Sequence, residues 1–472
     1  MTKGTTLTAQ RTNTRGPFLE GTTVVVLGFR RSGRAAAALL QEVGAKVRVS
    51  DSSPLDDLGL SAADVPGGVA WLGGADPGVL QGADLVVVSP GVPPANPLLR
   101  AALDRGIPVR SELELGWWFT DAPTVAITGT NGKTTTTELL GAMGRAAGRS
   151  TLVAGNVGTP LSSAVDAPPE LIVLEVSSFQ LFLCEDFRPH VGAILNLTTD
   201  HLDWHPDFEH YAAAKRKLFE RQEPQDAAVL NLVDPEVTAR FRDLPGEVFG
   251  FRESPAPDRG AFIRDERLTL RLDGDPEPVL ALSEWSLPGR HNRENLLAAA
   301  LCARLIGLDD DAIRNGARSF RGLPHRMEIV EHASGVHWIN DSKSTNPGSL
   351  EKALDPDLDT LLIAGGVTKG CDFRAIRDAV ERGTTEVLLI GEGAAEMAAA
   401  WRSATRTEIV GDLGTAVRVA HERVRPGQRV LFSPGCASFD QFDNYVHRGD
   451  TFRELVRRIH RKDSLSSKGG DA

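Results

Sequence analysis

Short β-branched apolar runs alternate along the chain with Ala- and Leu-rich stretches of helical period, and the alternation restarts three times. Strands with helices between them predict α/β layers on mostly parallel sheets. The first block predicts strands at 22–27, 46–50, 84–88 and 107–110, with a helix over 32–43 after a glycine turn. The second opens at 124–128 and adds strands at 171–176, 191–197 and 227–231. Between 247 and 285 the pattern changes to short polar-apolar alternation with turns such as Asp273-Gly274-Asp275, which reads as an antiparallel flap or small inserted sheet. A helix is expected to start near His291. The third block alternates again, with strands at 336–340, 361–364, 387–390, 408–410 and 429–432.

Length agrees with three restarts, since 472 residues correspond to roughly three domains. The 52 basic and 63 acidic residues leave a net charge of −11, which argues against a nucleic-acid surface but not against a small anion held by a few local groups. Cys184, Cys302, Cys371 and Cys436 lie far apart without metal-ligand spacing, so a reduced cytoplasmic chain is expected. Residues 1–17 are polar and lack the apolar core of a signal peptide, and read as a frayed extension. The most apolar stretch, 296–308, is too short to cross a membrane.

Candidate chemistry concentrates after the strand at 124–128. Gly129-Thr130-Asn131-Gly132 leads into Lys133-Thr134-Thr135 at a helix start, a layout that aims backbone N–H groups and the helix N-terminus at an anion. Lys133 would neutralise phosphate charge, and the Thr134 hydroxyl would stand where Mg²⁺ needs a ligand. The loop is not a strict G-x-x-x-x-G-K-[ST], because Ile127 occupies the position six before the lysine. Glu175 ends an apolar strand, where ligands of open α/β sheets collect and where an unpaired carboxylate would be costly. His201 follows the next strand in Asn196-Leu-Thr-Thr-Asp200-His201-Leu-Asp203, placing it as a metal or substrate contact. Lys215, in Tyr211-Ala-Ala-Ala-Lys215, has no local feature that distinguishes it from a solvated helical lysine. In the first block, Gly28-Phe-Arg-Arg-Ser-Gly33 has Arg30 in place of the middle glycine of a dinucleotide fingerprint. Arg31 and Ser32 could instead reach one diphosphate, with Asp51 and Ser52 at a ribose or base and Ser89 in the same crevice.

Taken together, Gly129–Thr134, Glu175-Val-Ser-Ser-Phe-Gln180, Asp200-His201-Leu-Asp203 and Tyr211–Lys215 resemble the Mur ligases, the cytoplasmic ATP-dependent amide ligases of peptidoglycan synthesis. Leu287-Pro-Gly-Arg-His-Asn292-Arg-Glu-Asn295, Gly322-Leu-Pro-His-Arg326, Asn340-Asp-Ser-Lys343-Ser-Thr345 and Ser433-Pro-Gly-Cys-Ala-Ser438 extend the match. The segment from Ser438 to Tyr445 is most similar to the members that add D-glutamate. The resemblance implies a Rossmann-like N-terminal domain (18–111) for the uridine nucleotide, a P-loop-type central ATPase domain (112–322) and a Rossmann-like C-terminal domain (323–472) for the amino acid. It implies that UDP-N-acetylmuramoyl-L-alanine is phosphorylated by ATP and that D-glutamate attacks the acyl phosphate. On this likeness Lys133 and Thr134 hold phosphates and Mg²⁺, Glu175 binds the same ion, and His201 serves a second. Lys215 matches a lysine that the family carbamylates. Asn295 and Arg326 match nucleotide contacts, and Asp341 with Lys343 matches contacts delivered by domain closure. Thr345, Lys369, Ser438, Phe439 and Tyr445 would meet D-glutamate, and Asn156 the uridine substrate. A monomer that neither binds nucleic acid nor enters the membrane is expected. Three other readings carry weaker support: folylpolyglutamate synthesis, hydride transfer resting on the first block alone, and a nucleotide-binding regulator on the same fold.

Overall fold

The structure, a computed structural model, describes residues 15–61, 64–65, 70–163, 168–200, 204–287, 289–333 and 335–466, with side chains to 461. Contacts divide the chain into two units, Met1–Phe320 and Arg321–Ala472.

The first unit holds two sheets. Strands β1 (Thr23–Leu27), β2 (Lys46–Asp51), β3 (Ala70–Leu72), β4 (Leu85–Val88) and β5 (Val109–Ser111) form a parallel sheet in the order β3-β2-β1-β4-β5. Successive side chains of a strand face opposite ways, so a strand covered on both faces must be apolar throughout. In β1, Val24 and Val26 join the cluster containing Leu39 and Leu40 of the helix Arg31–Glu42, while Val25 and Leu27 join Leu98 and Leu99 of the helix Pro97–Asp104. Strand order reverses between β1 and β4, so the loops after these strands, at Gly28 and Ser89, flank a crevice of the kind that takes ligands in such sheets.

The second sheet has nine strands. These are β6 (Thr124–Thr128), β7 (Thr151–Gly155), β8 (Leu171–Glu175), β9 (Val191–Ile194), β10 (Ala227–Asn231), β11 (Glu247–Phe251), β12 (Gly260–Arg264), β13 (Arg267–Arg271) and β14 (Glu277–Ala281), in the order β14-β13-β12-β11-β10-β9-β6-β8-β7. The segment expected to be an antiparallel flap or small inserted sheet instead continues this sheet. β11 and β12 pair parallel, and only β12-β13-β14 turn antiparallel. Side-chain alternation reports which faces are buried, not which strand is the neighbour. The helix Lys133–Ala146 packs on Asp310–Ser319, where a Cβ on Gly316 would lie 2.5 Å from Met143 Cα.

The second unit carries β15 (Glu328–Ala333), β16 (Val336–Asn340), β17 (Thr360–Gly365), β18 (Glu386–Ile390), β19 (Arg406–Gly411) and β20 (Arg429–Phe432), ordered β15-β16-β20-β17-β18-β19. Only the β15–β16 pair is antiparallel. Ile363, Leu388 and Val430 face one buried cluster, and Leu362, Leu389 and Leu431 the other. No helix among the described residues is long and apolar enough to cross a membrane.

Candidate functional site

The loop between β6 and the helix Lys133–Ala146 is built by two glycines that side chains would spoil. Gly129 (φ 147) and Gly132 (φ 83) occupy backbone conformations that favour glycine, and a Cβ on Gly132 would stand 2.4 Å from Asn295 Oδ1. Asn196, at the end of β9, holds the loop from the side: Asn131 N donates to its Oδ1 at 2.7 Å and its Nδ2 donates to Asn131 O at 3.1 Å. Thr130 shares a hydrogen bond of 3.0 Å with the Tyr211 hydroxyl. The Lys133 ammonium spans the loop, donating to Gly129 O and Thr130 O at 2.9 Å each. Asn295 Oδ1 accepts from Thr136 Oγ1 at 3.2 Å, which places Asn295 beneath the same turn.

Glu175 ends β8 beside this loop, its backbone in register with Ile127 of β6. It is 3% exposed. Asn156 Nδ2 donates to Oε1 at 3.1 Å, whereas Oε2 is buried with no hydrogen-bond partner among the described residues. An orphaned buried carboxylate oxygen is expensive, and a hard cation is the partner that its chemistry suits. The residues therefore fit Mg²⁺, with Thr134 opening the adjacent helix. His201 lies outside the described residues.

Lys215 departs most from a local reading of the sequence. It is 1% exposed, and its Nζ donates to Gly129 O at 3.0 Å and to Thr128 Oγ1 at 3.3 Å. Burial pushes its ammonium well below the ordinary lysine range, and the charge of Lys133 pushes the same way. Both amines donate to one carbonyl oxygen, so a charge on both would be strongly unfavourable. Tyr211, one turn earlier, lies 4.7 Å from Lys215 Nζ at its ring centre, and burial raises its hydroxyl to about 12.

In the five-stranded sheet, Asp51 accepts from Phe29 N at 2.6 Å and from Ser53 N at 2.9 Å, so both carboxylate oxygens fix the loops after β1 and β2. Ser89 Oγ donates to Gly28 O at 2.8 Å. Arg31 opens the helix at this crevice and is exposed, with Ser32 half-buried beside it. A Cβ on Gly33 would fall 1.8 Å from Gly28 O, so this glycine is fixed by strand-to-helix packing even though Arg30 has replaced the middle one.

In the second unit, Asp341 and Lys343 follow β16, Thr345 lies two residues on, and Lys369 follows β17. Ser438, Phe439 and Tyr445 follow β20. Parallel pairing thus gathers these residues at the carboxyl ends of three adjacent strands. Asp341 is buried, accepts from Ser433 Oγ at 2.8 Å and from Met327 N at 3.2 Å, and burial raises its carboxyl to about 6. Lys369 adopts a positive φ (52°) and its Nζ lies 5.5 Å from the Phe439 ring centre. Phe439 is two-thirds exposed, and Arg326 is exposed.

Three family models match consecutive stretches: Mur ligase MurD-like, N-terminal domain at residues 22–111, Mur ligase middle domain at 127–303, and Mur ligase, glutamate ligase domain at 325–436. The UDP-N-acetylmuramoylalanine--D-glutamate ligase of Pelotomaculum thermopropionicum is 42% identical over 441 residues, covering 92% of this chain and 97% of that one. The enzyme of the same name from Anaeromyxobacter dehalogenans is 44% identical, covering 93% and 98%. The chain belongs to the Mur ligase family. Among solved Mur ligases, Thermotoga maritima UDP-N-acetylmuramate-alanine ligase MurC superposes with a TM-score of 0.54 at 17% identity, over 93% of this chain and 99% of that one. E. coli FolC in complex with DHPP and ADP shares the fold at a TM-score of 0.52 and 17% identity, over 72% of this chain and 90% of its own.

For this Mur ligase, the site residues that sequence reasoning passed over are the ones that hold others in place. Asn196 grips the phosphate loop, and its position at the polar end of an apolar strand is a signal of the kind that selected Glu175. Ser433 and Arg448 brace the loops of the second unit and carry no local mark.

Proposed function

We propose that this Mur ligase joins D-glutamate to UDP-N-acetylmuramoyl-L-alanine at the expense of ATP, as a cytoplasmic monomer supplying peptidoglycan precursor. The observation that carries this reading is near-full-length identity of 38–44% with relatives of that name. A carboxylate is a poor acyl donor because it would have to expel oxide. Transfer of the γ-phosphoryl of ATP supplies a phosphate leaving group, and the D-glutamate amine then attacks the acyl carbon and displaces it.

The phosphate loop and Lys133 would bind and orient the ATP phosphates. Thr134 and Glu175 Oε2 would hold Mg²⁺, which neutralises phosphate charge when bound. Burial and the charge of Lys133 both favour the neutral amine of Lys215, the form that would add to CO₂: a nitrogen–carbon bond would form, one C=O π pair would move to oxygen, and one proton would leave the nitrogen to solvent. The resulting carbamate would place an anion beside the Lys133 ammonium, where a protonated Lys215 would repel it. His201 would serve a second ion. Asn295, Arg326, Asp341 and Lys343 would hold the nucleotide. Arg31, Ser32, Asp51, Ser52, Ser89 and Asn156 would hold the uridine substrate, and Thr345, Lys369, Ser438, Phe439 and Tyr445 the D-glutamate.

The test is phosphate release by the purified protein. Release should require ATP, Mg²⁺, UDP-N-acetylmuramoyl-L-alanine and D-glutamate together. Turnover with a diamino acid or D-alanyl-D-alanine in place of D-glutamate would assign the protein to another branch of the family, and stimulation by a folate would remove it from peptidoglycan synthesis.

A further inference from the structure

Arg448, near the start of the helix Tyr445–Ser466, is 1% exposed, and among the described residues its guanidinium makes no ion pair. Its Nε donates to Ser342 Oγ at 3.1 Å, Nη2 to Ser342 O at 2.8 Å and Nη1 to Cys436 O at 3.0 Å. The acid whose field reaches it, Asp440, is engaged with Glu392 N at 3.0 Å. A buried cation held only by neutral oxygens is a costly arrangement. Its hydrogen bonds are concentrated on two loops: Ser342 lies between Asp341 and Lys343, and Cys436 lies two residues before Ser438. Those loops touch elsewhere as well, because Ser433 Oγ donates to Asp341 and Gly435 N donates to Ser344 O at 3.0 Å. The third loop is tied in by Val367 and Ala437, which exchange backbone hydrogen bonds of 2.9 and 3.1 Å. The fit there is close: a Cβ on Gly366 would stand 2.2 Å from Ala437 O and 3.3 Å from Arg448 Nη1.

We propose that Arg448 is a positioning residue that fixes the Asp341–Lys343 segment and the Ser433–Ser438 segment as one surface, so that the affinities for ATP and for D-glutamate are set together. This inference rests on the functional reading above. Five donors in a planar fork can bridge three oxygens on two loops, whereas the single point charge of a lysine cannot reproduce that span. Arg448→Lys should therefore raise the KM for ATP and the KM for D-glutamate together, each at least tenfold. The KM for the uridine substrate, whose proposed contacts all lie within Met1–Phe320, should stay within twofold.

A merely structural arginine would give a different result: a lower melting temperature and a smaller active fraction, with both constants unchanged. Should Arg448→Lys fail to fold, Ser342→Ala removes one acceptor and should shift the same two constants the same way, at least threefold. Unchanged constants in the folded variant, or a change in only one of them, overturn the proposal. If the unaltered protein shows no D-glutamate-dependent phosphate release, the functional reading falls and this inference with it. If it turns over and the variants keep both constants, only this inference falls.

Discussion

Among the described residues Glu175 Oε2 is a buried carboxylate oxygen without a hydrogen bond, in a residue 3% exposed and placed beside the phosphate loop. Replacing the carboxylate by an amide keeps the shape and the contact with Asn156 but removes the charge that would hold Mg²⁺. Glu175→Gln should lower kcat by about 10²-fold or more without unfolding the protein, and raising Mg²⁺ should recover part of the loss. The measurement is phosphate release titrated with Mg²⁺. Asp341 gives a second test, on stability. Its carboxyl is raised by burial from 3.8 to about 6, so the folded protein holds a proton there that the unfolded chain has lost. Stability from this group is therefore full below about pH 4 and is lost as the pH rises through 6. Asp341→Asn can keep the hydrogen bonds to Met327 N and Ser433 Oγ with no charge to bury. It should be more stable than the unaltered protein at pH 7.5, by at most about 3 kcal/mol, and no more stable at pH 4. Denaturant unfolding at the two pH values reads this directly, and turnover should fall in the same variant.

Glu175 was legible in the sequence because an acid ending an apolar strand conflicts with its surroundings. Lys215 gave a similar signal that a local reading misses. Tyr211, Ala212, Ala214, Leu218 and Phe219 form the buried stripe of the helix Phe208–Glu220, and Lys215 lies within that stripe. A charge on the apolar face of a helix marks a buried partner in the same way as a charge in a buried strand.

Elements were legible where a strand's own composition decides its burial. The central strands β1, β6, β8, β10 and β20 are built on continuous apolar runs, and their positions follow from the sequence nearly residue for residue. The short β3, the half-buried β7 and the edge strand β15 lack such runs and were missed. Pairing is decided between elements, and this is why 247–285 read as an antiparallel flap or small inserted sheet rather than as a continuation of the central sheet. Two glycines carry that pairing: a Cβ on Gly260 (φ 144) would lie 1.7 Å from Gly250 O, so the β11–β12 approach requires glycine. Gly260→Ala should destabilise the protein by about 2–4 kcal/mol, through backbone strain and lost pairing at the sheet's far side. The phosphate loop is four strands away along the sheet from β12, so the KM for ATP should be unchanged in whatever fraction stays folded. A change in that constant would show that the meander reaches the nucleotide.

At the scale of the molecule, the proposed chemistry is divided between two units, each with its own sheets and buried clusters. Lys133, Thr134, Glu175, Lys215 and the uridine contacts belong to Met1–Phe320, and Arg326, Asp341, Lys343 and the D-glutamate contacts belong to Arg321–Ala472. The net charge of −11 sharpens this division, because every substrate is an anion and must be held by a few placed cations and helix N-termini. Arg321 is exposed at the boundary and precedes Gly322 (φ 93), so limited trypsin digestion should cut there first and release two folded fragments. Circular dichroism of the separated fragments should keep the α/β signature of each. Turnover should not survive separation at micromolar concentration, because the roles proposed above draw on residues of both units and the covalent link sets their effective concentration in the millimolar range. Mixing the fragments at rising concentration should restore phosphate release in proportion to the complex formed. Full activity from Met1–Phe320 alone would show that the second unit takes no part in the chemistry, and would overturn the roles proposed for Asp341, Lys343 and Lys369.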